Sequence, residues 1–131
     1  MHFVKLRLRH NSIRMRLTRP EVEALASGTA VEESVAFGPG AEAVLAYGIE
    51  CSDEASAADA RFAGNRVVVS LPRTAAVHWA AGDEVSIEFT KMVGDGAELR
   101  VLIEKDFACL NPRRGEDEAD MFPNPNAGTE C

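Results

Sequence analysis

The sequence predicts an α+β, β-rich fold: two tandem hairpin–helix–hairpin copies closing into one pseudo-symmetric, barrel-like body. Three observations predict it. The stretch NSIRMRLTRPEVEALASGTAV, residues 11–31, returns without a gap as NRVVVSLPRTAAVHWAAGDEV, residues 65–85, at a constant offset of 54. The segments around each copy alternate apolar and polar residues with the two-residue period of strands. In both copies a short helical stretch is closed by a glycine, Gly28 and Gly82.

The elements follow in order. Residues 3–8 and 12–17 alternate, with Leu6 and Leu8, then Ile13, Met15 and Leu17, on one side, and Lys5, Arg7, Arg9, Arg14 and Arg16 on the other. The HisAsnSer between them is turn chemistry, so the two runs form a hairpin with an apolar face and a basic face. Thr18 followed three residues later by Glu21 is a capping box, and Pro20 falls in the first helical turn, where a missing N–H is harmless. Val22 and Leu25 share a helix face. Residues 30–37 and 43–51 read as a second hairpin joined by GlyProGlyAla, and SDEASAADA is a polar connector. From residue 57 the order repeats: a hairpin around Gly64-Asn65, a helix over roughly 73–81, and a last hairpin, EVSIEFT and ELRVLIE, turning through GlyAspGly.

At the offset of 54 the identities include Asn11/Asn65, Leu17/Leu71, Arg19/Arg73, Gly28/Gly82, Val31/Val85, Ile49/Ile103 and Glu50/Glu104, and Ile13/Val67, Met15/Val69 and Leu25/Trp79 stay apolar. Turn, cap and core positions recurring together predict an internal duplication. One unit of about 45 residues buries too little apolar surface to stand alone. Two copies bury their faces against each other. The expected organisation is a single duplicated domain over residues 1–105, with repeats at about 3–51 and 57–105, and an acidic, Pro-containing tail over 106–131.

The order hairpin, LeuPro, short helix, GlyAspGluVal, hairpin resembles the swapped-hairpin domain of AbrB and MazE proteins, most closely in VVVSLPRTAAVHWAAGDEVSIEF. Asn11-Ser12 with Arg16-Leu17 resembles the AsnSer and Arg-apolar pattern of MazE. Those proteins pair two chains, so the resemblance implies a single-chain pseudo-dimer over residues 3–105. The tail, EKDFACL followed by FPNP and Cys131, resembles that of a family of small bacterial proteins of unknown function, which implies no chemistry.

Composition is that of a globular protein: of 131 residues, 46% are hydrophobic and 27% charged. No apolar run approaches the ~20 residues of a membrane span, and MHFVKLRLRH lacks the apolar core of a signal peptide. A cytoplasmic protein is expected. Three cysteines, Cys51, Cys109 and Cys131, with no CxxC spacing, argue against a disulfide framework or a zinc knuckle. Net charge is −7, unevenly spread: residues 1–19 hold six bases and no acid, and residues 21–60 nine acids and no base.

Two sites are candidates. The AbrB and MazE resemblance implies that Arg9, Asn11, Ser12 and Arg16, with neighbours Lys5, Arg7 and Arg14, contact a polyanion, since phosphate neutralisation supplies most non-specific affinity. Against it, Val68 and Ser70 stand where the first copy has Arg14 and Arg16, and the face is alternatively a solvated or internally paired strand surface. The second candidate is the tail, where Asp106, Cys109, Asp117, Asp120 and Cys131, with Glu104 and Glu116 nearby, offer thiolate and carboxylate ligands for a divalent metal such as zinc or iron. Cys109 is alternatively a small core residue beside Phe107 and Leu110. MetPheProAsnPro presents two apolar anchors on an extended path, suited to packing on its own domain or on a partner. His2, His10 and His78 form no catalytic grouping. The expected function is a non-enzymatic binding module, monomer or homodimer, engaging nucleic acid or a protein partner through the basic hairpin and needing no cofactor. The alternative is a metal-binding or thiol-redox protein centred on Cys109 and the acidic tail, and a thinner one is an antitoxin-like partner of a toxin.

Overall fold

The computed structural model describes residues 4–106. Their elements are β1 (Lys5–Arg9), β2 (Ser12–Leu17), α1 (Arg19–Ala26), β3 (Val31–Ala36), β4 (Val44–Ser52), β5 (Asp59–Ala63), β6 (Arg66–Pro72), α2 (Arg73–Ala81), β7 (Ser86–Gly94) and β8 (Ala97–Lys105). Four are antiparallel hairpins, as the alternation predicts. The β1–β2 turn places His10 and Asn11 at φ 47° and 55°, and the β5–β6 turn places Gly64 and Asn65 at φ 56° and 62°. Both two-residue loops therefore have the positive φ values whose twist matches that of the strands they join.

The strands form two four-stranded sheets, ordered β1-β2-β8-β7 and β3-β4-β6-β5. Each sheet joins two hairpins through a central parallel ladder: β2 on β8 links the first hairpin to the last, and β4 on β6 links the two middle ones. The registers recur at the offset of 54: Lys5↔Arg16 matches Asp59↔Ser70, and Ser12↔Arg100 matches Ala46↔Arg66 with the two halves exchanged. The outer hairpins depart from this. Val31 faces Ile49 in one, whereas Ile87 faces Ile103 in the other, which also carries an irregularity between Met92 and Gly94. A shift of two residues keeps every side chain on its original face, so the core tolerates it.

The expected barrel does not close. Among the described residues no ladder joins β1 to β3 or β7 to β5. At the β7–β5 seam the Lys91 ammonium donates to the Ala60 carbonyl at 2.7 Å and pairs with the Asp59 carboxylate at 2.9 Å. A cation reaching across holds the edges together at side-chain length, beyond the spacing of about 4.8 Å that strand pairing requires.

Helices α1 and α2 pack together at the end where β2 and β6 finish. Glu21 accepts from the Thr18 backbone N–H at 2.8 Å, the half of the capping box that closes on the N-cap, and also from the Thr18 hydroxyl at 3.0 Å. Gly28, at φ 97°, follows the helix in a conformation that other residues seldom adopt. Val22, Leu25, Ala76 and Trp79 turn inward onto Met15, Leu17, Ile49, Val69, Leu71, Val101 and Ile103, all buried. The Lys105 ammonium lies 5.6 Å from the centre of the Trp79 ring, within cation–π range, and donates to the Gly82 carbonyl.

At Gly48 the β3 backbone leaves no room for a side chain. A Cβ there would stand 2.4 Å from the Val31 carbonyl oxygen and 3.0 Å from Glu32 Cα, backbone atoms that cannot swing away. Gly48→Ala is therefore expected to lower stability by about 1–3 kcal/mol. Urea unfolding checks this against Gly38→Ala, whose Cβ would meet only Ala43 at an ordinary 3.5 Å. The control should stay within about 0.5 kcal/mol of the parent.

Candidate functional site

Strand pairing brings the expected basic residues onto one surface. Directly opposed residues share a sheet face, so the outer side of the β1-β2-β8-β7 sheet reads in rows: Lys5–Arg16–Glu104–Ser86, then Arg7–Arg14–Leu102–Glu88, then Arg9–Ser12–Arg100–Thr90. Lys5, Arg7, Arg9, Arg14 and Arg16 thus stand together. Arg100 joins them from β8. It is the base to which the sequence did not point, because its neighbour strand comes from the other end of the domain; its signal was its solvent-side position in ELRVLIE.

The cations are not equivalent. Glu104, half-buried in the middle of the face, accepts from Arg14 Nε at 2.6 Å and Nη2 at 3.2 Å, and lies 3.7 Å from Arg16 Nη2. That two-toothed pairing fixes the Arg14 guanidinium plane. Lys5 pairs with Asp106 at 3.0 Å and Arg100 with Glu88 at 3.2 Å. Among the described residues Arg7 and Arg9, both exposed, have no ion-pair partner. Lys5, Leu6, Arg7, Arg14 and Arg16 line a shallow groove of about 180 Å³ along this surface. The turn residues do local work: the Asn11 amide donates to the Glu98 carbonyl at 2.8 Å, and the Ser12 hydroxyl donates to the Arg9 carbonyl. Asn65 makes the counterpart bond to the Glu42 carbonyl at 3.1 Å. Asn11 and Asn65, which coincide at the offset of 54, thus each pin a tight turn to a neighbouring hairpin.

The equivalent face of the other sheet has no such surplus. Its rows Asp59–Ser70–Glu50 and Arg61–Val68–Gly48–Glu32 carry few bases, and Arg66 pairs with Glu32 while Arg61 reaches Glu50 at 3.5 Å. The Ser70 hydroxyl also donates to Glu50, at 3.2 Å. Positive charge is thus concentrated on one side.

Of the metal-ligand candidates, Cys109, Asp117, Asp120 and Cys131 lie outside the described residues, and Asp106 is engaged by Lys5. Among the described residues no three His, Cys, Asp or Glu side chains are grouped to hold a metal ion. The Cys51 thiol donates to the Leu25 carbonyl at 3.0 Å; burial pushes its pKa up, and Asp53 and Glu50 add to the rise against the opposing pull of Arg73. His78 is exposed and lies 3.2 Å from Glu84. No described helix is long and apolar enough to cross a membrane.

The chain belongs to a family of unknown function, DUF7009, whose model matches residues 4–126. No curated protein and no solved structure matches it.

Two outcomes are expected. Iodoacetamide at pH 8 should modify Cys51 more slowly in the folded protein than in the urea-unfolded chain, as its raised pKa and partial burial imply; peptide mass spectrometry reads the rate, and equal rates would show that the fold does not suppress the thiolate. Asp59 titrates below its ordinary value of 3.8, chiefly through its hydrogen bond to Lys91 and then that to the Ala60 backbone. A carboxylate with a lowered folded pKa stabilises above its unfolded pKa, and this contribution fades as pH falls through the folded value. The difference in urea midpoint between the parent and Asp59→Asn should therefore be full above about pH 4 and shrink below it.

Proposed function

We propose that this protein is a non-enzymatic binding module that engages nucleic acid through the outer face of the β1-β2-β8-β7 sheet. The observation that supports it best is the pair Arg7 and Arg9, exposed and without an ion-pair partner among the described residues, set beside Arg14 and Arg16, which Glu104 holds in place. Pre-positioned guanidinium groups next to uncommitted ones suit phosphates, which accept two parallel N–H bonds from arginine. The negative body does not prevent this. Exposed charges more than a Debye length apart, about 10 Å at 0.1 M salt, are largely screened from each other, so carboxylates elsewhere on the body repel phosphates at this face only weakly.

The same reading takes the chain as a tandem pair of swapped-hairpin copies resembling AbrB and MazE proteins, a pseudo-dimer in one polypeptide. The recurrence of cross-strand registers at the offset of 54 supports it. One copy keeps the basic face and the other has lost it, so a single side meets the ligand.

Fluorescence anisotropy with a labelled 20-base-pair duplex tests the proposal. Affinity should fall between 50 and 200 mM salt with a log–log slope of about −0.9 per phosphate contacted, and Arg7→Ala/Arg9→Ala should flatten that slope by about 1.8. Unchanged binding in the double variant, or no binding by the parent, would refute the reading.

A further inference from the structure

The end of the two sheets opposite the helices is open and apolar. There Leu6, Leu8, Ile13, Leu45, Phe62 and Val93 line a mouth of about 720 Å³ between the sheets. Strand parity points Leu8 and Phe62 inward, as it does Met15 and Val69 on the neighbouring strands, yet Leu8 is 62% and Phe62 69% exposed whereas Met15 and Val69 are fully buried. These two residues occupy corresponding places in the two halves, so the mouth is lined alike from both sides. Inward-facing apolar side chains left in water mark a surface that something covers.

We propose that the cover is the chain's own C-terminal segment, with Met121 and Phe122 seated in the mouth and the acids Glu116, Asp117, Glu118 and Asp120 lying over Arg7 and Arg9. Residues 107–131 are outside the described residues; the inference rests on where they start, how far they reach and what charge they bring. They start beside β1, because Asp106 donates its backbone N–H to the Leu17 carbonyl at 2.7 Å and pairs with Lys5. From Lys5 the strand runs through Arg7 to its end at Arg9, beside the mouth, a distance of about 13 Å. The stretch from 107 to 120 spans up to about 45 Å when extended, enough with slack. The order of the tail then matches the order of the surface. Its acidic run comes before Met121-Phe122, as the arginines of β1 come before the mouth, whose rim adds Arg61 and Lys91. The family match also continues to residue 126, so it takes in this stretch. The consequence rests on the proposed binding reading: the acids occupy the arginines that a phosphate backbone would use, and the tail is an intramolecular competitor for that face.

Hydrogen exchange read by mass spectrometry on the full chain tests the docking without any nucleic acid. Amides of residues 116–126 should be protected in the parent. They should exchange about tenfold faster or more both in Met121→Ser/Phe122→Ser and in Leu8→Ser/Phe62→Ser, which removes the seat at positions too exposed to hold the core. Combining the four substitutions should add nothing further. An unprotected tail in the parent, or protection that survives either pair of substitutions, would overturn the proposal. So would protection lost on dilution together with a dimer mass, which would make a second copy the cover. Because no polyanion is present, these outcomes are independent of the binding reading. If both hold, the released tail should raise duplex affinity several-fold at 50 mM salt.

Discussion

The two parallel ladders, β2 on β8 and β4 on β6, are the constraint on which the rest of the structure depends. Every hairpin here is local, closed by a two-residue turn or a short loop, and a lone hairpin is at best marginally stable in water. The ladders are the only strand pairings among the described residues that join one hairpin to another, and β2 on β8 joins the first to the last. They also carry the core: Met15 lies beside Ile103 across one and Val69 beside Ile49 across the other, all four buried. Parallel pairing needs a connection of about a dozen residues or more: residues 53–65, with β5, supply it between β4 and β6, and the path from β2 to β8 takes in both helices. Both helices lie at the end where β2 and β6 finish, and the opposite end is left open.

The same ladder builds the basic face. Glu104 belongs to β8 and the arginines it holds belong to β2, so the bond between them crosses the seam between the first and last hairpins. Glu50 occupies the matching place in the other sheet, where Ser70 and Arg61 approach it instead. A carboxylate in the middle of each outer face can serve the sheet before any ligand, because it gives the polar side chains of the central strands a fixed partner. What differs is the number of cations around it. With one guanidinium near Glu50 charge is balanced; with two near Glu104, and Arg7 and Arg9 beyond, it is not.

Much of this was legible in the sequence, for a physical reason. Turns, caps and strand parity are properties of a few adjacent residues, so the Asn11 and Asn65 turns, the Thr18–Glu21 contact and the inward positions of Met15, Leu17 and Leu71 follow from local chemistry. Closure is not local. Whether β7 meets β5 through a ladder or through Lys91 depends on the separation of two sheets, and no alternation in either strand encodes that. Arg100 was missed for a like reason, since a residue's lateral neighbours are set by topology rather than by its own segment. The exposure of Leu8 and Phe62 was equally illegible: parity gives the direction of a side chain but not whether anything lies in that direction.

The differences between the proposed copies carry a further consequence. In a symmetric body of two identical chains every substitution appears twice, so a large residue at a shared packing position must accommodate its own image. A single chain is free of that limit. Leu25 on α1 corresponds to Trp79 on α2, and both are buried where the helices meet, a large ring in one copy and a smaller aliphatic side chain in the other. Glu21 corresponds to Ala75 and is likewise buried; Thr18 satisfies one carboxylate oxygen, while Oε2 has no hydrogen-bond partner among the described residues. A second such carboxylate at the related position would bring two desolvated charges into the helix pair, a cost that one alone avoids. The same freedom applies on the surface, where Val68 and Ser70 stand at the offset of 54 from Arg14 and Arg16. Joining the copies in one chain lets one half keep a charged face and lets the other half become its scaffold.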